Sequence, residues 1–172
     1  MQSAKDSFST ALRERLTALN PARTVKLNGT QRPAVVVVQN ELPTAAERLY
    51  ECFYLEFGTI EPVEGTFGER PICAIDCNIS YCTRGTVVSG VDRGRVLGEM
   101  DRELLMICQP RRTGKRDFSQ SPNVDLGTSI FWTLPSFQVE AKTALAGMPQ
   151  DGAVASHQAQ VRVFFSAEVD SL

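Results

Sequence analysis

The stretch from Pro71 to Pro110 constrains the fold most: an alternating segment, a glycine-punctuated turn and a charged amphipathic segment follow one another directly. Period-two geometry from Ile72 to Tyr81 puts Cys73, Ile75, Cys77, Ile79 and Tyr81 on one face and Asp76, Asn78 and Ser80 on the other. The spacing predicts a strand with one buried and one wet face. Beyond it, at about 100° per residue, Val96, Leu97, Met100, Leu104, Ile107 and Cys108 gather on one arc, opposite Asp92, Arg95, Glu99, Arg102 and Glu103. That pattern predicts a helix over about 91–108 covering a sheet. Met106 falls on its polar side, a candidate for contact with another chain.

The rest of the chain supplies partners for this unit. Ser3 followed by Asp6 resembles a weak capping box, and Phe8, Leu12, Leu16 and Leu19 at helical spacing predict an N-terminal helix closed by Asn20-Pro21. Arg23 to Leu27 alternates, Asn28-Gly29 is the dipeptide of a tight type I′ turn, and Ala34 to Gln39 is rich in valine. A hairpin is expected, its second strand interrupted near the start by Pro33, which suggests an edge or a bulge. A break at Leu42-Pro43-Thr44 precedes an aromatic-rich strand from Leu49 to Phe57, and a loop containing Glu61-Pro62, Gly65 and Gly68 follows Gly58.

After the second helix, Gln109 to Gly127 turns polar and basic and reads as a long protruding loop or arm. Thr128 to Leu134 returns to strand, Phe137 to Ala141 resumes after Pro135, and a linker around Gly147 to Gly152 leads into a final alternating strand. There His157, Ala159, Val161, Val163, Phe165, Ala167 and Val169 oppose Gln158, Gln160, Arg162, Phe164, Ser166 and Glu168. This order of elements predicts an α+β domain: an antiparallel or mixed β-sheet with an N-terminal helix and a second helix packed on one face. The 172 residues are most simply one domain, long enough to bury roughly 70% of the surface of the unfolded chain.

Composition narrows the class of function. A net charge of -2 gives no global attraction to nucleic acid or anionic membrane. The longest apolar run, Ala34 to Val38, falls far short of the roughly 20 residues that span a bilayer, and the N-terminus lacks the apolar core of a signal peptide. A soluble, cytoplasmic protein without membrane partners is expected. Five cysteines make an odd set, so reduced thiols are expected instead of a disulfide framework. Cys73, Cys77 and Cys82 invite a metal reading. On a strand, however, Cys73 and Cys77 lie about 13 Å apart, too far for one zinc with thiolates at about 2.3 Å. Buried structural cysteine is the simpler reading.

The glycines at 85, 90, 94 and 98 match neither a phosphate loop nor a dinucleotide fingerprint. Their spacing suggests instead that Gly94 and Gly98 let the helix approach the sheet closely. His157, the only histidine, has no G-x-S-x-G nucleophile to serve, and reads as a packed or strand-end residue. Glu99, Asp101 and Glu103 read as a solvated face, with basic neighbours three or four residues away. No cofactor is implied. The feature with functional promise is Arg111, Arg112, Lys115 and Arg116, four cations within six residues. They are expected to face DNA phosphates, acidic groups of a neighbouring subunit, or solvent.

The strand Cys-Ala-Ile-Asp-Cys-Asn-Ile-Ser-Tyr, the short turn, and the helix Asp92-Arg93-Gly94-Arg95-Val96-Leu97-Gly98-Glu99-Met100-Asp101-Arg102-Glu103-Leu104-Leu105 resemble those of tail-terminator and tail-completion proteins of tailed bacteriophages and phage-like particles. In that group an N-terminal helix such as Phe8 to Leu19 precedes a hairpin, and a late strand like Gln158 to Glu168 completes the sheet. The resemblance implies a non-enzymatic virion structural protein assembled in the host cytoplasm. It would form a homo-oligomeric, hexameric ring at the end of the tail tube, with the tube protein on one side and a head-completion or connector protein on the other. Two other classes stand beside it: an α+β enzyme or small-ligand module using His157, the acids or the thiols, and nonspecific nucleic-acid contact through the basic segment.

Overall fold

A computed structural model describes residues 1–42, 49–65, 71–138 and 154–167. The expected break at Pro43 and Thr44, Gly68, residues 139–141, the Gly147 to Gly152 linker and the end of the last strand at Glu168 and Val169 lie outside the described residues. The chain is α+β, with a curled mixed sheet and few helices. Its elements are α1 (Gln2–Leu19), β1 (Thr24–Leu27), β2 (Thr30–Pro33), β3 (Val35–Val37), α2 (Val38–Glu41), β4 (Phe53–Pro62), β5 (Ile72–Thr83), α3 (Arg93–Ile107), β6 (Thr113–Asp117), β7 (Val124–Trp132), β8 (Ser136–Gln138) and β9 (Ala155–Ser166). The main sheet runs β3-β4-β5-β9-β7-β6, and β8 extends the β7 side of β9. Only the β3–β4 pair is parallel among the described strands.

The centre is the pairing of β5 with β9, unbroken from Ile72↔Ser166 to Thr83↔Ala155. Alternation in both strands sends Ile75, Cys77, Ile79 and Tyr81, with Ala159, Val161, Val163 and Phe165, to the same buried face. The helices cover that face. α1 buries Ala4, Phe8, Ala11, Leu12 and Leu16, and α3 buries Val96, Leu97, Met100, Leu104 and Ile107. α1 also touches β3 at one edge of the sheet and β6 at the other, so the sheet wraps the helix. Phe8 meets Phe57 and Trp132 edge to face, with ring centroids 6.2 and 5.1 Å apart.

Polar groups lock the helices together. Arg15 donates to the carbonyls of Ile107 and Gln109, both at 2.7 Å, and its guanidinium lies over Trp132. Trp132 Nε1 donates to Cys108 O at 3.0 Å. The carbonyls left open at the end of α3 thus find partners from α1 and β7.

Several local expectations are corrected. Met1, not Ser3, precedes α1, and Ser3 lies within the helix. The Asn28-Gly29 turn has positive φ at both residues, 49° and 81°, as a type I′ turn requires. A two-residue turn fixes register, so the return strand is Thr30–Pro33, and the valine run beyond it pairs parallel with β4 instead. β4 starts later than expected, at Phe53, and continues through Gly58 to Pro62 by means of a bulge between Phe57 and Ile60.

On α3, Glu103 and Asp92 are buried and not solvated. Glu103 accepts from Asn20 Nδ2 at 2.6 Å and pairs with Arg23. Gly94 and Gly98 face open space, so close approach to the sheet does not explain them. Within the segment expected as an arm, Thr113–Asp117 pairs antiparallel with Val124–Trp132, and its edge packs on α1, with Arg116 N donating to Ser7 Oγ at 2.9 Å.

Two predictions test this framework. Replacing Glu103 by Ala strands the Arg23 guanidinium, whose remaining acidic partner is Glu51 at 3.7 Å. The expected loss is about 3 kcal/mol, read as a lower urea midpoint. Glu41 contributes to the acid dependence. Its carboxylate accepts from Arg13 Nη2 at 2.7 Å and Val37 N at 2.6 Å, and Arg32 Nη2 stands 2.7 Å away without a hydrogen-bond alignment. Burial by itself would raise the pKa, but the two arginines and the Val37 N–H outweigh it and hold Glu41 below its ordinary 4.5. A lowered folded-state pKa stabilises fully above that ordinary value, and the stabilisation disappears as the pH falls through the depressed one. Stability measured from pH 6 down to pH 3 should therefore fall less steeply in Glu41→Gln than in the natural chain.

Candidate functional site

The residues expected to form a basic arm are not brought together as one patch. Arg111, Arg112 and Arg116 are exposed, with Arg112 Nε donating to Ser129 Oγ at 2.9 Å. Lys115 is 2% exposed, and its Nζ donates to Ser166 O at 3.0 Å. The cause is strand geometry: between Gly114 and Arg116 the β6–β7 register shifts, and Lys115 turns inward while its neighbours turn out. Arg116 lies opposite Asp125, which offsets its charge. Arg111 has a basic neighbour instead: the Arg15 pKa is lowered, first by burial and then by the Arg111 charge. Met106 is exposed as expected, with Gln109 Nε2 at 3.8 Å from its sulfur, and Leu105 beside it is exposed too.

A polar cluster lies between α3 and the start of β9, joining Asp101, expected on a solvated face, to Tyr81, expected on the buried face of its strand, and to His157, expected as a packed or strand-end residue. Asp101 accepts from the Tyr81 hydroxyl, and His157 Nδ1 stands 2.9 and 3.2 Å from its two oxygens. Tyr81 and His157 are cross-strand partners in the β5–β9 ladder, and their rings meet at 6.0 Å. Burial, reinforced by Asp101, pushes the Tyr81 phenol well above its ordinary pKa, so it remains a donor. The two contacts from Nδ1 to the carboxylate fix the orientation of the ring. A shallow cavity of about 290 Å³ reaches His157 from the outward side of the sheet, opposite α3, bordered by Glu56, Asn78, Ser80, Gln138 and Gln158. The arrangement orients an imidazole. The signal that could have revealed it is weak: Asp101 sits one helical step off the apolar arc, and only the crossing of α3 over the sheet sets it above Tyr81.

All five cysteines are free and buried. Burial pushes the Cys52 and Cys108 thiols up to about 12, and Cys77 well above its ordinary value. Cys82 Sγ is directed to Leu49 O at 3.9 Å, away from Cys77. Among the described residues there is no group of histidine, cysteine, aspartate and glutamate able to hold a metal ion, and no helix is long and apolar enough to cross a membrane. No protein-family model matches the chain, and no curated protein matches it significantly.

With a pKa near 12, about one Cys52 or Cys108 thiol in 10⁴ is ionised at pH 8. Because all five thiols are buried, an aromatic disulfide reagent at that pH should find no fast-reacting thiol in the native chain, and five after denaturation. A rapid native reaction would show that a cysteine is accessible and ionised.

Proposed function

We propose that this chain is a structural protein of a phage or phage-derived tail, forming a ring at the end of the tail tube that terminates the tail and joins it to the head. The observation that carries the reading is where the apolar surface lies. The β5–α3 unit, whose pattern resembles that of tail terminators, exposes Val87, Val88 and Val91 on its connecting loop and Leu105 and Met106 near the end of its helix. Exposed apolar groups at both ends of a rigid scaffold suit a protein that works by contact. In a ring, such groups meet neighbouring subunits, the tube protein and the head connector. The curled sheet supports the reading as well, since both edges of the sheet close on α1 and leave loops and outward faces for assembly. Arg111, Arg112 and Arg116 are then the cations available to DNA passing the ring.

Negative-stain imaging and native mass spectrometry of the purified chain, alone and with tail tubes, test this. Closed rings with six times the 18.9 kDa chain mass are expected. A monomer under both conditions would sink the proposal.

A further inference from the structure

The loop between β5 and α3 holds an apolar tip in a fixed shape. Val87, Val88 and Val91 are 44%, 109% and 83% exposed. The Asp92 carboxylate accepts from Thr86 N at 3.0 Å and Val87 N at 3.4 Å, and from the Thr86 hydroxyl. Gly85 and Gly90 take positive φ, 81° and 63°, and the Arg93 guanidinium occupies the space where a Cβ on Gly90 would stand. Arg93 Nε donates to Arg84 O at 3.2 Å. An apolar tip held this firmly loses little entropy on docking. Around it stand Arg84, Arg93 and Arg95, three guanidiniums against the carboxylates of Asp92 and of Glu51, which accepts from the Thr83 hydroxyl at the base of the loop.

The outward face of the sheet carries the complementary set. Phe131 stacks on Phe164 at 5.0 Å with ring planes 11° apart, and Phe131 is 44% exposed. On that face Glu56, Glu61 and Asp76 oppose two guanidiniums: Arg162, which lies 3.4 Å from Glu61 and 3.8 Å from Asp76, and Arg112, which donates to Ser129 beside Phe131. One surface is apolar with excess positive charge, and the other is aromatic with excess negative charge.

The two lie at opposite ends of β5. Ala74 pairs with Phe164, whereas Thr83 leads into the loop. Nine residues of strand separate them by about 30 Å, so they do not meet within one chain. Two different, complementary patches on one molecule make a heterologous contact, which closes into a ring or propagates. We propose that the Val87–Val91 loop of one copy seats on the Phe131–Phe164 face of the next, with the loop arginines against Glu56, Glu61 and Asp76. The occupant is thus a second copy of this chain, and the contact supplies the subunit interface of the assembly proposed above, on which it rests.

Sedimentation of the full chain and two variants tests the interface. Val88→Asp spoils the loop and Phe131→Asp spoils the face. Each should retain the natural far-UV circular dichroism and melting curve while weakening self-association at least 100-fold. Mixed in equal amounts, they should form a one-to-one heterodimer and nothing larger, because only the intact loop of one fits the intact face of the other. If Phe131→Asp fails to fold, Phe131→Thr keeps strand propensity and replaces it. Variants that assemble like the natural chain, or a mixture that stays monomeric, overturn this interface and leave the ring reading standing. A natural chain that is monomeric at every concentration, with and without tail tubes, overturns both.

Discussion

The ladder between β5 and β9 is the constraint on which the rest of the structure depends. It joins segments about eighty residues apart in the sequence, twelve residue pairs in continuous register. A slip of one residue would turn Ile79 and Val161 outward and bring Asn78 and Gln160 into the core. The helices, the β7 edge and the Tyr81–Asp101–His157 cluster are all placed relative to this register. It is also a costly pairing to form, because its loop-closure entropy is paid before its contacts are gained.

α1 makes that ladder into a closed core. It fills the concavity of the sheet with Phe8, Leu12 and Leu16, and it reaches the far end of α3 through Arg15. The Arg23–Glu103 pair and the Asn20 amide secure the turn after α1 to the polar side of α3. The interior is thus held by apolar packing with a few paired charges at its margin. Exposed apolar groups lie outside it, among them those on the β5–α3 loop, the end of α3 and the outward face of β7.

Much of this was legible in the pattern of residues. The strand from Ile72, the helix ending at Ile107, the Asn28-Gly29 turn and the last strand from His157 each follow from a periodicity or a local backbone preference. Other features depended on register between distant segments. Lys115 looked like its basic neighbours until a shift in the β6–β7 ladder turned it inward. Glu103 looked solvated until Arg23 and Asn20, some eighty residues away, came beside it. Gly58 looked like a stop because glycine usually ends a strand, yet the bulge before Ile60 carries β4 past it.

The Pro71 to Pro110 stretch by itself determined a strand, a turn and a helix with a shared apolar face, since period-two and helical spacing are local properties of the chain. It also set the chemical character of the loop: valines flanked by arginines. Only the tertiary structure decided that Asp101 stands over Tyr81 and His157, and that an acidic aromatic face lies at the other end of the same strand. Those relations are distances across the sheet, set by pairing, curl and helix crossing, and no local period in the sequence encodes them.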